Sequence, residues 1–149
     1  EHTGIWMWGP PGRGKSHAMA AFARWWWVDG HTVRIEQWDQ LLVEVREAFG
    51  DLSYGVTERK IVQKYLDIDK LILEDVGATV GIGSRESDFS RRTLLTILDR
   101  RIRDMKATYI TTNKSVEEIG KSFDARIESR IHQACKVFRL EGEDRRVLK

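Results

Sequence analysis

The chain has 149 residues, a length typical of one domain with a substantial core, and its single cysteine, Cys135, excludes an internal disulfide. The absence of disulfides is typical of a reducing compartment, so we expect a cytoplasmic protein. The net charge is +2, but residues 1–75 carry 9 Lys and Arg against 12 Asp and Glu, whereas residues 76–149 carry 16 against 11. The basic second half indicates a moderate preference for anionic partners, and since no apolar run has membrane-spanning length we expect no membrane contact.

Strands and helices alternate along the sequence, which predicts a parallel sheet with helices on both faces. A Gly- and Ser-rich stretch from Gly77 to Ser90 interrupts the pattern and is predicted to be a mobile loop. The predicted strands cover residues 5–8, 32–36, 70–73, 109–112 and 136–140. The predicted helices cover residues 15–28, 38–49, 57–66, 89–104, 116–120 and 124–133.

The first predicted helix is rich in aromatic residues. Its spacing predicts a buried face made of Ala18, Met19, Phe22 and Trp26. The tryptophans at 25–27 are consecutive, so they point about 100° apart and cannot all enter one core. Either a neighbouring element covers them or one of them faces solvent as a docking surface. We expect ordinary packing, because large aromatic side chains are usually buried.

The predicted helix 89–104 carries an apolar side and a set of arginines. The apolar side consists of Leu94, Leu95, Ile97, Leu98 and Ile102. The arginines lie away from that side, at positions 91, 92, 100, 101 and 103.

A phosphate-binding pattern, G-x-x-x-x-G-K-S, covers Gly9 to Ser16 between the first predicted strand and the first predicted helix. Glycines in such a loop let successive backbone N–H groups point inward, next to the positive end of the helix dipole. The pattern predicts that Lys15 reaches the β- and γ-phosphates of a nucleotide and that the Ser16 hydroxyl binds Mg²⁺. The predicted nucleotide-binding residues are Pro11, Gly12, Arg13, Gly14, Lys15, Ser16 and His17.

Polar residues follow two further strands. Glu74 and Asp75 come after an apolar strand, an arrangement typical of a Walker B motif, in which one carboxylate holds Mg²⁺ through water and the next polarises the attacking water. Asn113 ends another strand and could bond the γ-phosphate or position water; the simpler interpretation is a turn residue. Because the carboxyl ends of parallel strands meet at one edge, we expect these side chains to lie near the phosphate loop.

Arg126 and Arg130 lie four residues apart on a predicted amphipathic helix. Without further context, two such arginines are most often a solvated helix face.

Four segments in this order resemble the AAA+ domain of bacterial or phage helicase loaders of the DnaC/DnaI type, with the IstB transposition ATPases as close relatives. The segments are Gly4–His17, Leu71–Gly77, Thr111–Asn113 and Arg126–Ile131, and the ending Glu141–Arg146 is similar too.

The resemblance implies a P-loop NTPase (AAA+) fold. That fold is a three-layer α/β/α arrangement with a central five-stranded parallel sheet of strand order 5-1-4-3-2, here without a full lid. We expect residues 1–149 to be a single AAA+ ATPase domain, excised from a longer chain with an upstream partner-binding domain. The implied cofactors are ATP or ADP and Mg²⁺.

The resemblance also assigns roles to the site residues. Asp75 would activate water, Asn113 would sense the γ-phosphate, Arg130 would insert into the neighbouring subunit's site, and Arg126 would be a second interface arginine. The family normally has Asp where this chain has Glu74, so we expect binding to survive and turnover to be slow.

The implied function is an ATPase that controls oligomerisation, as a ring or a filament, and engagement of a replicative helicase and single-stranded DNA. Arg59, Lys60 and Lys64 are the predicted DNA contacts, with the arginines near 91–103 as further candidates; the alternative is that these charges only keep two helices soluble. An IstB-like transposition helper shares every motif. A nucleotide-gated binding module with negligible turnover is a third possibility, suggested by Glu74.

Overall fold

Five strands and six helices alternate along the residues that the computed structural model describes, which are 4–50, 58–79, 81 and 85–144, with the backbone alone for 48–50 and 58–61. The strands are β1 (Gly4–Trp8), β2 (Val33–Gln37), β3 (Lys70–Glu74), β4 (Ala107–Thr112) and β5 (Cys135–Arg139). The helices are α1 (Lys15–Val28), α2 (Trp38–Gly50), α3 (Glu58–Asp67), α4 (Asp88–Arg103), α5 (Val116–Ser122) and α6 (Ala125–Ala134).

The strands form one parallel sheet in the order β2-β3-β4-β1-β5, which confirms the predicted order when the sheet is numbered from its other edge. β1 lies between β4 and β5, and its last residue, Trp8, is in register with Thr112 of β4. At the far edge Gln37 of β2 is in register with Glu74 of β3. The carboxyl ends of β1, β3 and β4 therefore lie on the same side of the sheet, where the phosphate loop begins.

The sheet separates two apolar clusters, because alternate strand residues point to opposite faces. On one face Met7 and Ile72 contact α1 through Met19 and Trp26. On the other face the strands meet α2 to α6 in the larger cluster, whose sheet residues include Trp6, Leu71, Leu73 and Ile110. Helices thus cover both faces, as the strand and helix alternation predicts.

The predicted burial of the aromatic residues of α1 is only partly correct. Trp26 is buried and its ring lies 4.2 Å from that of Tyr109, but Trp25 is 65% exposed and Trp27 is 72% exposed. Phe22, predicted to be buried, is exposed and stacks on Trp26 at the margin of the helix. The prediction of ordinary packing is wrong for these three side chains because α1 contacts the sheet along a narrow stripe, in which Ala23 fills the position given to Phe22.

Arg101 of α4 is fully buried, although its position in the sequence lies off the apolar side of the helix. Its guanidinium donates hydrogen bonds to the end of α3, to the turn that leads into β3 and to the start of β4. The acceptors are the carbonyls of Tyr65, Leu66, Ile68, Asp69 and Ala107 and the hydroxyl of Thr108. Burial lowers the pKa of Arg101 to about 10, so the guanidinium stays charged at neutral pH and fixes α4 against the base of the sheet.

Local capping explains where two helices begin. Ser87 accepts a hydrogen bond from the Ser90 backbone and starts α4 one residue earlier than predicted. Ser115 and Glu118 form a reciprocal capping box at α5. Thr57, the first residue of the third predicted helix, and residues 80 and 82–84 of the predicted mobile loop lie outside the described residues. Within the part of the chain that is described, no helix is both long and apolar enough to cross a membrane.

Candidate nucleotide site

The phosphate loop joins β1 to α1 through residues with left-handed backbone angles. Gly12 has a φ of 76°, and Gly14, the N-cap of α1, has a φ of 86°. L side chains are strained in this region, so glycine at both positions lets the chain turn sharply into the helix. The first N–H groups of α1 consequently face the cleft above the sheet, as an anion-binding loop requires.

Lys15 joins the loop to the end of β4. Its side chain is buried, and its ammonium donates hydrogen bonds to the carbonyls of Gly9 and Pro10 at 2.7 and 3.0 Å and to Asn113 Oδ1 at 2.8 Å. The parallel pairing of β1 with β4 brings Asn113 to this position, although 98 residues separate it from the lysine. Two of the predicted site segments are therefore in direct contact.

Asp75 turns away from β3 into the same region. It is one of two non-glycine residues with positive φ among those described, at 56°, and its backbone N–H donates to Thr111 Oγ1. The Val76 N–H donates to the Thr111 carbonyl, and Thr112 Oγ1 donates to the Val76 carbonyl. These bonds hold the turn after β3 against β4, so the backbone of Asp75 is fixed at the edge of the cleft.

A cleft of about 520 Å³ collects most of the predicted site. It is lined by Pro11, Gly12, Gly14, Lys15, Ser16, His17, Asp75, Ala78 and Asn113. Ala78 is the one residue of this lining that the sequence analysis missed. It follows Asp75 in a short turn, and nothing in its residue type signals a site.

Glu74 and Arg13 are the two predicted cleft residues that are not part of this lining. Glu74 is buried and accepts a hydrogen bond from Gln37 Nε2 at 2.8 Å on Oε2. Its predicted role in holding Mg²⁺ stays a prediction. Arg13 is partly buried, and two of its guanidinium nitrogens have no hydrogen-bond partner among the described residues. Gln37 is a further residue that the sequence did not indicate as a neighbour of the site; the register of β2 against β3 places it beside Glu74.

The segment after β5 lies against the outside of the phosphate loop. The Leu140 N–H donates to the Trp8 carbonyl at 2.7 Å, which continues the pairing of β5 with β1. A Cβ added to Gly9 would lie 2.3 Å from the Leu140 carbonyl oxygen, and one added to Gly12 would lie 1.9 Å from Asp144 Oδ1. Close approach to backbone therefore requires glycine at position 9, whereas at position 12 the positive φ requires it, since the Asp144 side chain can move aside. The contact with this segment was not predictable from the sequence.

The donor atoms around the cleft fit Mg²⁺ carried by a nucleotide. The Ser16 hydroxyl is an oxygen ligand of the kind that Mg²⁺ prefers, and the Asp75 carboxylate in the same lining adds negative charge beside it. The described residues contain no group of three or more His, Cys, Asp or Glu side chains that could hold a metal by themselves. Such a site suits a Mg²⁺ ion that keeps its waters and binds through phosphate oxygens.

The two candidate interface arginines lie on α6, outside the cleft lining. Arg126 bonds Asp124, the N-cap residue of α6, and the hydrogen bond from Arg126 holds the pKa of Asp124 down to about 2. Arg130 donates from Nε to Asp99 Oδ1 of α4. Neither arginine contacts the nucleotide cleft of its own chain.

Of Arg59, Lys60 and Lys64, only Lys64 has a described side chain. Among the further candidates near 91–103, Arg101 is wrong as a DNA contact, because it is fully buried and bonded to backbone carbonyls. It forms an ion pair with Glu44 of α2, which also accepts a hydrogen bond from Tyr65. Burial raises the pKa of Glu44, but the bonds from Lys64 and Tyr65 outweigh it, and the pKa is lowered. The side chains of Arg59 and Lys60 lie outside the described residues, and a DNA role for the three stays a prediction.

Comparison with known proteins gives one family and a set of relatives. A family model described as IstB-like ATP binding protein matches residues 1–149. The replicative helicase loader DnaC of Escherichia coli strain K12 is 25% identical over 123 residues, which are 83% of this chain and 47% of the relative. DnaC of Buchnera aphidicola subsp. Baizongia pistaciae is 25% identical over 105 residues, or 70% and 40%. The chain thus spans about half the length of the curated relatives it matches.

Solved structures agree on the fold. A crystal structure of the DnaC helicase loader has a TM-score of 0.79 and 21% identity, covering 93% of this chain and 78% of that one. AMPPCP-bound DnaA from Aquifex aeolicus has a TM-score of 0.77 and 20% identity, covering 95% and 42%. The architecture is that of a P-loop AAA+ domain, as the resemblance implies.

Proposed function

Because the chain belongs to the IstB-like ATP-binding proteins, we propose that it binds ATP with Mg²⁺ at the phosphate loop and hydrolyses it slowly, in an oligomer-dependent way. The observation that carries the proposal is the convergence of the loop, Asp75 and Asn113 on one cleft, with Lys15 bonded to Asn113. These residues come from the ends of three parallel strands, where α/β sheets bind ligands.

The chemistry assigns separate tasks to the residues of the cleft. The Lys15 ammonium exchanges its bonds to the loop carbonyls for the β- and γ-phosphates, while Asn113 bonds the γ-phosphate or orients water. Asp75 polarises the attacking water from its fixed turn. Mg²⁺, held by Ser16 and the nucleotide with Glu74 acting through water, would neutralise charge that develops on the phosphates.

Arg130 completes the site of the neighbouring subunit. Phosphoryl transfer spreads negative charge over the equatorial oxygens, and a planar, always-charged guanidinium stabilises that charge. Arg130 is 40% exposed on α6 and lies away from its own cleft, which suits contact with a second copy. Arg126, one turn earlier, would help to hold that interface.

At the level of the whole protein we propose a cytoplasmic helicase loader acting in DNA replication, which assembles into a ring or filament and engages single-stranded DNA and a replicative helicase. The similarity to DnaC helicase loaders supports this proposal. The family description equally suits an IstB-like transposition helper. Capture of a replicative helicase, with no capture of a transposase, is the result expected for a loader, and the reverse result would favour the helper.

Mixing of inactive variants tests the shared site. Specific ATPase activity should rise with protein concentration, and Arg130→Ala should bind ATP normally but lose most turnover. Lys15→Ala should lose binding, yet a mixture of the two variants should recover activity, because an intact Arg130 can meet an intact loop across one interface. Arg24→Ala, which removes an exposed arginine of α1, is the matched control and should behave as the unmodified protein.

Two outcomes would contradict this assignment. Specific activity independent of concentration, with no recovery on mixing, would return Arg130 to the ordinary surface arginines. ATP binding without any turnover, with or without single-stranded DNA, would favour the nucleotide-gated binding module.

A further inference from the structure

Arg130 is held in a defined orientation by a residue of a different helix. Its Nε atom donates to Oδ1 of Asp99 on α4, across the contact between α4 and α6. The two side chains are 40% and 36% exposed, so the pair lies at the surface but is not fully solvated. The contact joins residues 31 positions apart.

The backbones that carry this pair are anchored in the core. Ile127 and Ile131 of α6 are fully buried, as is Ile97 of α4, while Leu98, next to Asp99, is 1% exposed. All four belong to the same apolar cluster. Because the packing fixes the relative position of the two helices, the carboxylate of Asp99 is presented to Arg130 at a constant place.

The edge of the Arg130 guanidinium that Asp99 contacts determines which N–H donors remain available for another ligand. A guanidinium has five N–H donors in a planar fork, and only the single Nε donor is bonded to Asp99. The terminal nitrogens Nη1 and Nη2 make no hydrogen bond to any described residue. A carboxylate on the Nε edge, which that N–H shares with one N–H of Nη2, thus holds the plane while the other three N–H donors stay directed away from it, as contact with phosphate oxygens requires.

Other charges around Asp99 favour the same arrangement. Arg126 lies one turn before Arg130 on α6, and Asp99 contributes to raising its pKa, after the hydrogen bond and charge of Asp124. Asp124 itself is occupied by Arg126 through two hydrogen bonds from the guanidinium. The two arginines of α6 thus engage different carboxylates, Arg126 that of Asp124 and Arg130 that of Asp99.

We infer that Asp99 is a positioning residue for Arg130, which fixes the guanidinium plane so that Nη1 and Nη2 project toward the nucleotide of a neighbouring copy. The inference rests on the proposed function, in which Arg130 acts in trans. Asp99 does not touch nucleotide itself and acts only through Arg130. The opposite role, sequestration of Arg130 until assembly, predicts the opposite change in rate.

A double-mutant cycle separates these roles. At protein concentrations that saturate assembly, Asp99→Ala should lower kcat about tenfold, because a guanidinium misplaced by a fraction of an ångström stabilises the transition state poorly. KM for ATP and the assembly seen by sedimentation should not change. In an Arg130→Ala background the same substitution should have no further effect. Asp99→Asn, which keeps an acceptor atom without the charge, should retain more activity than Asp99→Ala.

Other results would contradict the positioning role of Asp99. A kcat that is unchanged or higher in Asp99→Ala, or a tenfold loss that persists in the Arg130→Ala background, overturns the positioning role while Arg130→Ala still shows its own loss. If Arg130→Ala leaves kcat unchanged, the trans role fails and the positioning role fails with it.

A second measurement examines the contact without turnover. In a ¹H–¹⁵N spectrum of the full chain, the Nε–H resonance identified by its loss in Arg130→Ala should be protected from solvent exchange. That protection should vanish in Asp99→Ala and persist in Asp39→Ala, which removes an exposed acid of α2. A rapidly exchanging Nε–H in the unmodified protein would overturn the inference whatever the ATPase activity.

Discussion

At the scale of single residues, the phosphate loop is constrained from outside as well as from inside. Gly12 combines a positive φ with a position against the Asp144 carboxylate, which approaches the place that a Cβ would occupy. The chain that follows β5 therefore contacts the loop at both Gly9 and Gly12, so tertiary packing contributes to the shape of the loop alongside the motif.

Gly12→Ala should weaken ATP binding at least about tenfold, since the new methyl group strains the left-handed backbone of the loop and also displaces the Asp144 side chain. Titration calorimetry with ATP and Mg²⁺ measures the change. Gly30→Ala is a matched control, because Gly30 has a similar φ of 88° but no atom within 4 Å of an added Cβ. Equal affinity in the two variants would mean that the contact with Asp144 does not shape the loop.

Glu74 stands where the resemblance implies an Asp, and its carboxylate is bonded to Gln37 rather than lining the cleft. Glu74→Asp should raise kcat with little change in ATP affinity, because the shorter acid would return Mg²⁺ to the geometry that neutralises developing charge. Steady-state hydrolysis and a binding titration measure the two quantities, with Gln37→Ala as the companion variant. A lower rate in Glu74→Asp would indicate that Gln37 and the longer acid form the working arrangement.

At the scale of secondary-structure elements, Arg101 connects α4 to the chain between α3 and β3. Its hydrogen bonds satisfy five backbone carbonyls at the amino-terminal end of the sheet, opposite the nucleotide cleft. β3 starts immediately after the Asp69 carbonyl and ends at Glu74, so the bonds of Arg101 contribute to the position of Glu74 and of Asp75, which follows the strand.

Arg101→Ala should lower the free energy of unfolding by roughly 3–5 kcal/mol, because it leaves several buried carbonyls without donors. Urea denaturation followed by circular dichroism measures the loss. Arg101→Lys keeps the charge but not the planar fork, so its free energy of unfolding should lie between those of Arg101→Ala and the unmodified protein. The exposed neighbour Arg100, changed to Ala, should cost less than about 0.5 kcal/mol. Similar midpoints for Arg101→Ala and Arg100→Ala would remove the structural role of the buried guanidinium.

At the scale of the whole molecule, the fold was predictable because strong local signals agree with each other. Apolar strands of regular length, helices with clear periodicity and the loop motif between the first two elements define a parallel α/β sheet. The sheet then brings the ends of β1, β3 and β4 together, so the neighbourhood of Lys15, Asp75 and Asn113 follows from topology.

The remaining features depend on which distant element covers a given side chain, which periodicity does not report. Trp25 and Trp27 are exposed because α1 meets the sheet along one stripe, and Arg101 is buried because a turn 32 or more residues away supplies acceptors. The pairing of Glu74 with Gln37 and of Arg130 with Asp99 also requires tertiary contacts. A single sequence contains the residue types of such pairs but not their partners.

The central claim is that ATP with Mg²⁺ binds at the phosphate loop, and a calorimetric titration of Lys15→Ala tests it most directly. Lys15 supplies a buried cation at the cleft, and its loss should weaken binding about 100-fold or more while the fold is retained. Lys121→Ala, which removes an exposed lysine of α5, should bind ATP as the unmodified protein does. ATP affinity that is the same in Lys15→Ala, Lys121→Ala and the unmodified protein would place the nucleotide elsewhere and contradict the account.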